Sequence, residues 1–301
     1  MNIEYDIQID FKKDFENILK NELELCDYNT SKINDMCFSY FNLINRLILP
    51  KPRKVLQSRE FNCPNELKNS LNILKKKIEK GDNINQYLSK KILDLEYNDP
   101  LLNDWGIHHM HLGDLHEKEK FVNRTGPLLF VFFNEEYAYF INTYKHGAWT
   151  NDKLIRILYE NWEESIKNSR IDGVDGLENN ITDDIRKELR KNNIVTFTEV
   201  GKGIVYLPIG GGYMADGSST YVRRVCLTVS KKINYYENFI YDIKEDIVNE
   251  MKEKGSNLSK KIIFNLFINK NEAFAYEQHS NKIIKFGYFH HIEKLKGLLN
   301  S

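Results

Sequence analysis

The run Leu128–Phe133, LLFVFF, constrains the fold of this chain more than any other stretch. A short, uninterrupted apolar run of this kind is typical of a strand that is buried on both faces. The turn-forming residues 134–136 (NEE) follow, so Tyr137–Tyr144 is predicted to be the next strand of a hairpin. Ile107–Leu112 is predicted to be a third strand, and a helix from Asp152 to Asn161 closes the module. The pattern indicates a small antiparallel sheet with one helix packed on it.

The segments on either side of this module predict two further lobes. Residues 1–100 begin with one short strand and then show helical spacing of apolar residues, which indicates a mostly helical lobe. Residues 167–193 are polar, charged and marked by glycine, and they are interpreted as a linker. The predicted fold class is therefore α+β, with a helical N-terminal lobe at 1–100, a sheet module at 101–166 and a β-rich α+β lobe at 194–301.

The C-terminal lobe is predicted from three β-rich runs, IVTFTEV, GIVYLPI and TYVRRVCLTVS. The glycine-rich residues 210–219, between the last two runs, are interpreted as a flexible hairpin. A helix at Tyr236–Lys254 and the strands KIIFNLFI and EAFAYEQ complete the predicted lobe. His290 and His291, close to the end of the sequence, are interpreted as surface or partner-facing residues.

The composition is that of an ordinary globular protein. Hydrophobic residues make up 41% of the 301 residues, and 43 basic residues balance 43 acidic ones, which excludes a wholly basic nucleic-acid binder. The four cysteines are widely spaced and form no CxxC pair, which argues against a disulfide framework and favours a reduced, cytoplasmic setting. No apolar run approaches the ~20 residues that a membrane span needs, so no membrane association is expected.

The histidines mark the candidate site. Five of the eight lie between Trp105 and Trp149, namely His108, His109, His111, His116 and His146. Histidine titrates near neutral pH, so a cluster of this kind indicates proton transfer or metal binding. Because side chains alternate along a strand, His109 and His111 share one face and are predicted to project into a cleft. His108 shares the other face with apolar neighbours and is predicted to be a hydrogen-bonded core histidine.

The first functional hypothesis is a metal-independent ribonuclease. Cleavage of RNA at a 2′-hydroxyl needs a base, an acid and a cation beside the phosphorane, and histidines with an arginine meet that need near pH 7. The predicted catalytic residues are His109, His111, His146 and Arg124. The predicted substrate-binding residues are Lys145 at the phosphate, with Tyr144 and Trp149 stacking a base of single-stranded RNA.

A basic stretch, PKPRKVLQSREF, precedes the module and adds further candidates for substrate binding. Its residues Arg53, Lys54 and Arg59 are predicted to bind phosphate, since such contacts supply most of the affinity for nucleic acid. The alternative interpretation is a solvated connector whose charges only maintain solubility.

A helical lead-in followed by a short antiparallel sheet that carries His109, His111, Arg124 and His146 resembles the RelE- and barnase-like ribonuclease toxins. The arrangement is also similar to accessory toxins of bacterial abortive-infection (anti-phage) systems. The resemblance covers about residues 100–165. It implies a compact sheet with packed helices, RNA cleavage without a metal, the catalytic roles of those four residues, and an antitoxin or other protein partner.

Two other hypotheses remain open. His109 and His111 on one strand face, joined by His146, would bind zinc as in the three-histidine zinc hydrolases. Asp114 or His116 would then be a further ligand. In the other hypothesis the chain is a non-catalytic binding or regulatory protein whose histidines are structural. No cofactor is expected for the ribonuclease, and zinc is expected only for the metal-dependent hydrolase.

Overall fold

The computed structural model describes residues 5–116, 119–179, 181–201, 203–255, 258–269 and 271–289, together with 292, 295 and 298. His290 and His291 lie outside the described residues. Within them the helices are α1 Phe11–Glu24, α2 Met36–Arg46, α3 Lys68–Lys80, α4 Pro100–Trp105, α5 Lys153–Trp162, α6 Asp183–Lys191, α7 Thr220–Asp242 and α8 Lys244–Glu253. The strands are β1 Asp6–Ile9, β2 Lys54–Gln57, β3 Ile107–His111, β4 Pro127–Phe133, β5 Tyr137–Lys145, β6 Arg170–Ile171, β7 Thr198–Gly201, β8 Ile204–Tyr206, β9 Lys261–Asn269, β10 Glu272–Glu277 and β11 Lys282–Tyr288. The predicted α+β class is confirmed.

The chain divides into two compact units, and each is built from separated segments. Unit 1 comprises residues 1–40 and 224–295, and unit 2 comprises residues 41–223 and 296–301. This division differs from the predicted consecutive lobes at 1–100, 101–166 and 194–301. The physical reason in unit 1 is that β1 pairs in parallel with β9, with Asp6 opposite Lys261, so a strand from each end of the sequence enters one sheet.

Unit 1 contains a four-stranded sheet in the order β1-β9-β10-β11. Helix α1 begins at Phe11, where the carboxylate of Asp10 accepts a hydrogen bond from the backbone N–H of Lys13 at 3.0 Å. The apolar face of α1 is buried at Phe11, Phe15, Leu19 and Leu23. Asp14 ties the helix to the sheet, since its carboxylate accepts from the Leu266 N–H at 2.7 Å.

The run TYVRRVCLTVS, predicted as a strand, is instead the first half of α7. The buried residues Val222, Val229, Ile233 and Tyr236 recur at intervals of three, four and seven, which is helical spacing. The β-branched residues in the run favour a strand only weakly. Packing of the helical apolar stripe overrides that local preference.

Unit 2 is organised around a sheet in the order β2-β5-β4-β3. The predicted hairpin of β4 and β5 is confirmed, and its turn is closed by the Asn134 side chain, which accepts from the Tyr137 N–H at 2.7 Å. Strand β3 pairs antiparallel with β4, also as predicted. The stretch interpreted as a basic connector contains β2, an edge strand that runs parallel to β5. The prediction missed it because the exposed cations hide a short apolar alternation.

The segment 167–193, interpreted as a linker, is an integral part of unit 2. It supplies β6 to a second small sheet, ordered β6-β8-β7, and it supplies α6. Two arginines of α6 are buried, with the guanidinium carbons of Arg186 and Arg190 lying 5.1 and 4.3 Å from the ring centroid of Trp105. The linker prediction was therefore wrong. Its arginines have the composition of a solvated segment, but Arg186 and Arg190 pack on the ring of Trp105.

The glycine-rich residues 210–219, predicted to be a flexible hairpin, are held against α4. The backbone N–H of Gly210 donates to the carbonyl of Asp104 at 2.9 Å, and that of Gly212 donates to the carbonyl of Asn103 at 2.8 Å. A Cβ atom at Gly210 would lie 2.1 Å from the carbonyl oxygen of Leu102, so only glycine fits there. The loop is fixed by the end of a helix.

We expect Gly210→Ala to lower the free energy of unfolding by ~1–3 kcal/mol, because the added methyl group overlaps backbone atoms at the C-terminal end of α4. Urea denaturation followed by circular dichroism measures the change. Gly126→Ala is the matched control, since a Cβ there meets nothing within 4 Å. Equal stability of the two variants would contradict the tight approach of the loop.

The sequence also predicts that the chain has no membrane-spanning segment. Within the described stretches, no helix combines the length and the apolarity needed to cross a bilayer.

Candidate active site

A cleft of about 690 Å³ opens in unit 2 at the edge where β3 and β5 end and β4 begins. All four predicted catalytic residues line it, namely His109, His111, Arg124 and His146. Its volume lies in the range of ~300–1,000 Å³ that is usual for small-molecule sites. Apolar surface from Trp149, Leu101 and Leu128 lies beside the polar groups, so the cleft offers both flat contacts and charge.

The strand register explains why residues distant in the sequence meet here. His111 lies opposite Leu128 at the start of β4, and Leu128 lies opposite Tyr144 near the end of β5. His146 follows directly, with its backbone N–H donating to the carbonyl of Gly126 at 3.2 Å. The two antiparallel pairings therefore bring the C-terminal ends of β3 and β5 to the same edge of the sheet.

Trp149 packs between two of the histidines. Its ring centroid lies 4.6 Å from that of His109 and 5.0 Å from that of His146, the latter in an edge-to-face arrangement. The ring also contacts Phe130 in the core at 5.7 Å. A half-buried indole anchored on one side by the core presents a rigid surface to the cleft.

His111 is held in one tautomer by the backbone. The N–H of Thr125 donates to its Nδ1 at 3.2 Å, so in the neutral ring the proton is on Nε2. The side chain is only 5% exposed, and burial lowers its pKa to about 4, helped by the nearby positive charge of Arg124. At neutral pH His111 is thus an uncharged hydrogen-bond donor through Nε2.

His109 lies close to a carboxylate. Its Nδ1 is 3.8 Å from Oδ2 of Asp99, which also lines the cleft. Burial lowers the pKa of His109, and the charge of Asp99 opposes that shift. His109 is therefore neutral near pH 7, in contact distance of a negative group on one side and of Trp149 on the other. His146, by contrast, is exposed to solvent.

Cations outnumber carboxylates around the cleft. Its charged lining consists of Lys91, Arg124, Lys187, Arg190, Lys191 and one carboxylate, Asp99. Arg190 is engaged by Asp104 at 2.7 Å and also donates to the carbonyl of Trp149, which ties α6 to the cleft wall. Arg124 is exposed and makes no hydrogen bond or ion pair within the described part of the chain. The cleft is thus suited to an anionic ligand.

Sequence reasoning missed Asp99 and the lysines at 91, 187 and 191. The Asp99-Pro100 pair was recognisable as the start of a helix, which is a signal for a fixed carboxylate. The spacing of Lys187 and Lys191 places them on one side of α6. Nothing in the sequence indicates that this side of α6 lines the cleft, since that placement depends on the burial of Arg190 over Trp105.

Five of the predicted substrate-binding residues do not line the cleft. Arg53 donates to the carbonyls of Asn134 and Leu49, and Arg59 to the carbonyl of Glu160. Lys54 starts β2 opposite Tyr137, at the other end of the sheet. Tyr144 and Lys145 lie on β5, where Tyr144 packs on Phe130 at 5.9 Å and Lys145 is exposed. Of that set only Trp149 reaches the cleft.

His108, predicted to be a hydrogen-bonded core histidine, is not hydrogen-bonded. Neither ring nitrogen has a partner among the described residues, and the ring packs edge-to-face on Phe133 at 5.6 Å. Burial lowers its pKa to about 4. The apolar environment agrees with the prediction, but none of the described residues supplies the polar partner that such a site ordinarily has.

The low pKa of His108 makes stability depend on pH. In the unfolded chain His108 has a pKa near 6.5, whereas in the folded chain its pKa is about 4. The stabilising contribution is therefore complete above pH 6.5 and is lost as the pH falls towards 4, by up to about 3 kcal/mol. We expect His108→Leu to reduce the pH dependence of urea-unfolding stability between those limits, with the contribution of His111 remaining, while His116→Ala keeps the wild-type pH dependence. Parallel curves for all three proteins would contradict the burial of a neutral imidazole.

The zinc hypothesis requires three or more ligands that converge on one point. Among the described residues no group of three or more His, Cys, Asp or Glu side chains is arranged to hold a metal ion. His116, named as a further ligand, instead has its Nε2 2.8 Å from Nδ2 of Asn123. His109, His111 and His146 share a cleft, but their mutual arrangement is not that of a metal centre.

Comparison of the chain with protein-family models, with curated proteins and with solved structures finds no match. The resemblance to RelE- and barnase-like toxins and to abortive-infection systems therefore stays a prediction, as does an antitoxin partner.

Proposed function

We propose that the cleft cleaves RNA without a metal cofactor, by general acid–base catalysis. The observation that supports the proposal most is the meeting of three histidines and an arginine around one cleft whose remaining charges are mainly cationic. Residues capable of proton transfer and a cation that stabilises phosphate charge are the groups that this reaction needs. All of these side chains belong to unit 2.

The proposed reaction is an internal transfer at phosphorus. His109 accepts the proton of the ribose 2′-hydroxyl through Nε2, and the 2′-oxygen forms a bond to phosphorus. The bond from phosphorus to the 5′-oxygen breaks, and His146 donates the proton that this oxygen takes up. The products are a 2′,3′-cyclic phosphate and a 5′-hydroxyl, so atoms and charge balance without a water molecule.

The other lining residues have supporting roles. Arg124 lies where its positive charge acts on His111, and it stabilises the charge that develops on the phosphorane oxygens. The Nε2–H of His111 donates to one of those oxygens. Trp149 offers a face on which a base of single-stranded RNA stacks, a contact worth ~1–3 kcal/mol per base. His146 is exposed, so solvent reaches it directly.

The protonation states suit a base that works at neutral pH. Because burial lowers the pKa of His109, the ring stays unprotonated on the acidic side of neutrality. The acidic limb of kcat/KM is therefore expected below the ordinary histidine pKa of ~6.5. A limb above that value would indicate that another group acts as the base.

The test uses an oligonucleotide of DNA that contains one ribonucleotide, incubated with the full chain in EDTA. The expected result is one cut, 3′ to the ribonucleotide, that leaves a cyclic phosphate detectable by mass spectrometry. The all-DNA strand is the control and stays intact. Absence of cleavage over a panel of single-stranded RNAs, or cleavage only after metal is restored, would count against the proposal and favour a binding protein or a metal enzyme respectively.

We expect the double variant Lys187→Ala/Lys191→Ala to bind single-stranded RNA more weakly, because two phosphate contacts at the cleft edge are lost. The slope of log Kd against log salt should fall by about 0.7 per lost contact, or about 1.4 for both. Binding is measured by fluorescence anisotropy in the His146→Ala background, which slows cleavage. Lys145→Ala is the control, since Lys145 does not line the cleft. If Lys145→Ala has the larger effect, the RNA follows another path.

A further inference from the structure

Asp99 is fixed by the helix that it caps. Its Oδ1 accepts hydrogen bonds from the backbone N–H groups of Leu101 and Leu102, at 3.0 and 3.1 Å, at the start of α4. The other oxygen, Oδ2, lies 3.8 Å from Nδ1 of His109. Both side chains are largely buried, with 14% of Asp99 and 15% of His109 exposed. The carboxylate therefore has one oxygen committed to the helix and one directed at the histidine.

His109 has different surroundings on its two sides. It lines the main cleft, and it also lines a small neighbouring cavity of about 30 Å³ that it shares with Asp99 and His108. Its Nδ1 makes no hydrogen bond to another described residue. A negative charge nearest Nδ1 favours a proton on that nitrogen and leaves the lone pair on Nε2.

His111, two residues further along β3, is held the opposite way. The Thr125 N–H occupies the Nδ1 lone pair, so the ring proton is on Nε2. Both rings line the same cleft. Two neutral histidines on one face of one strand thus differ in which nitrogen carries the proton.

We infer that Asp99 is a positioning residue that fixes His109 as the Nδ1–H tautomer, so that β3 presents a paired acceptor and donor to the ligand. Nε2 of His109 accepts and Nε2–H of His111 donates. The chemical group that satisfies both at once is a hydroxyl next to a phosphoryl oxygen, which in a nucleic acid is the ribose 2′-hydroxyl beside its 3′-phosphate. This consequence rests on the proposed function, whereas the tautomer assignment does not.

The pairing gives a physical basis for choosing RNA over DNA. With deoxyribose, Nε2 of His109 would lose its donor inside a largely buried site, and an unpaired buried acceptor weakens binding roughly five- to hundredfold. The preference for RNA over DNA would then depend on His109 and Asp99. The cations of the cleft contribute nothing to it, because they bind the phosphates of either nucleic acid equally.

The test is side-chain ¹⁵N NMR of the full-length wild-type protein at neutral pH. The expected spectrum has the proton of His109 on Nδ1 and that of His111 on Nε2, with assignments made from single His→Gln variants. This measurement needs neither RNA nor activity. A His109 ring protonated on Nε2 would overturn the inference even if the protein cleaves RNA.

Asp99→Asn then tests the cause. Asparagine keeps the oxygen that caps α4 and removes the charge that faces His109. We expect the Nδ1–H form of His109 to lose its preference and kcat/KM for RNA to fall by at least about tenfold, with KM little changed. The acidic limb should move to lower pH, because the carboxylate no longer supports the protonated ring.

Asp94→Asn is the matched control, since Asp94 lies in the same segment and its carboxylate accepts from the Glu96 N–H at 3.1 Å. It should keep both tautomers and the wild-type pH profile. An unchanged His109 tautomer in Asp99→Asn would overturn the positioning role. If the tautomers are as expected but no RNA is cleaved by the wild-type protein, the positioning role holds and the ribonuclease proposal fails.

Discussion

His109→Ala and His146→Ala are each expected to lower kcat/KM for RNA cleavage by about 10²–10⁴-fold, the usual contribution of one general acid or base. His109 loses the acceptor for the 2′-hydroxyl proton, and His146 loses the donor for the 5′-oxygen. The two effects should not add fully, because the acid and base act in the same transition state. Initial rates on the single-ribonucleotide substrate in EDTA measure the loss.

His116→Ala is the matched control for this pair. His116 belongs to the same histidine-rich stretch, yet it faces Asn123 and does not line the cleft. Its replacement should leave the rate within about twofold of wild type. A large loss in His116→Ala, or near-normal rates in both cleft variants, would show that the stretch contributes through folding rather than through proton transfer.

The second large effect is expected on stability, at the buried pair of Arg190 and Asp104. Asp104 is completely buried, and both Nε and Nη2 of Arg190 donate to its Oδ2, at 2.9 and 2.7 Å. Arg190→Ala removes both of these donors from the carboxylate, and burial already raises the pKa of Asp104. We expect the free energy of unfolding to fall by about 3–5 kcal/mol, as it does when one partner of a buried pair is removed.

Urea denaturation of Arg190→Ala measures this loss, and Arg170→Ala is the exposed comparison. Arg170 pairs with Glu163 at 2.9 Å at the surface, where such pairs contribute ~0–1 kcal/mol. The double change Asp104→Asn/Arg190→Met should recover part of the stability, because the buried carboxylate is removed together with the arginine that pairs with it. Similar losses in Arg190→Ala and Arg170→Ala would contradict a structural role for the buried pair.

The central module could be predicted because its signals are local. The LLFVFF run, the NEE turn and the alternation around His109 and His111 all act over a few residues, so strand positions and the shared histidine face follow from spacing. The shared edge with His146 follows from hairpin geometry. Only the depth of burial, which lowers the pKa of His111 to about 4, needed the three-dimensional structure.

The rest of the site depends on long-range packing. The local sequence ITDDIRKELRK does not indicate that Arg190 covers Trp105 and pairs with Asp104. That contact places Lys187 and Lys191 at the cleft. The prediction that the basic stretch PKPRKVLQSREF binds phosphate fails for the same reason, because it also depends on long-range packing. Arg53 and Arg59 have the composition of phosphate ligands, but nearby carbonyl groups already accept their hydrogen bonds.

The parallel pairing of β1 with β9 has a consequence for how the chain is made. Asp6 leaves the ribosome long before its partner Lys261 exists. At a synthesis rate of ~5–20 residues per second, roughly 13–50 seconds pass between the synthesis of β1 and that of β9. Throughout that interval unit 1 has an unpaired strand and an uncovered α1, while unit 2 has nearly all of its sequence available. Nascent chains are therefore exposed to aggregation through their earliest residues, the place where a chaperone would be most useful.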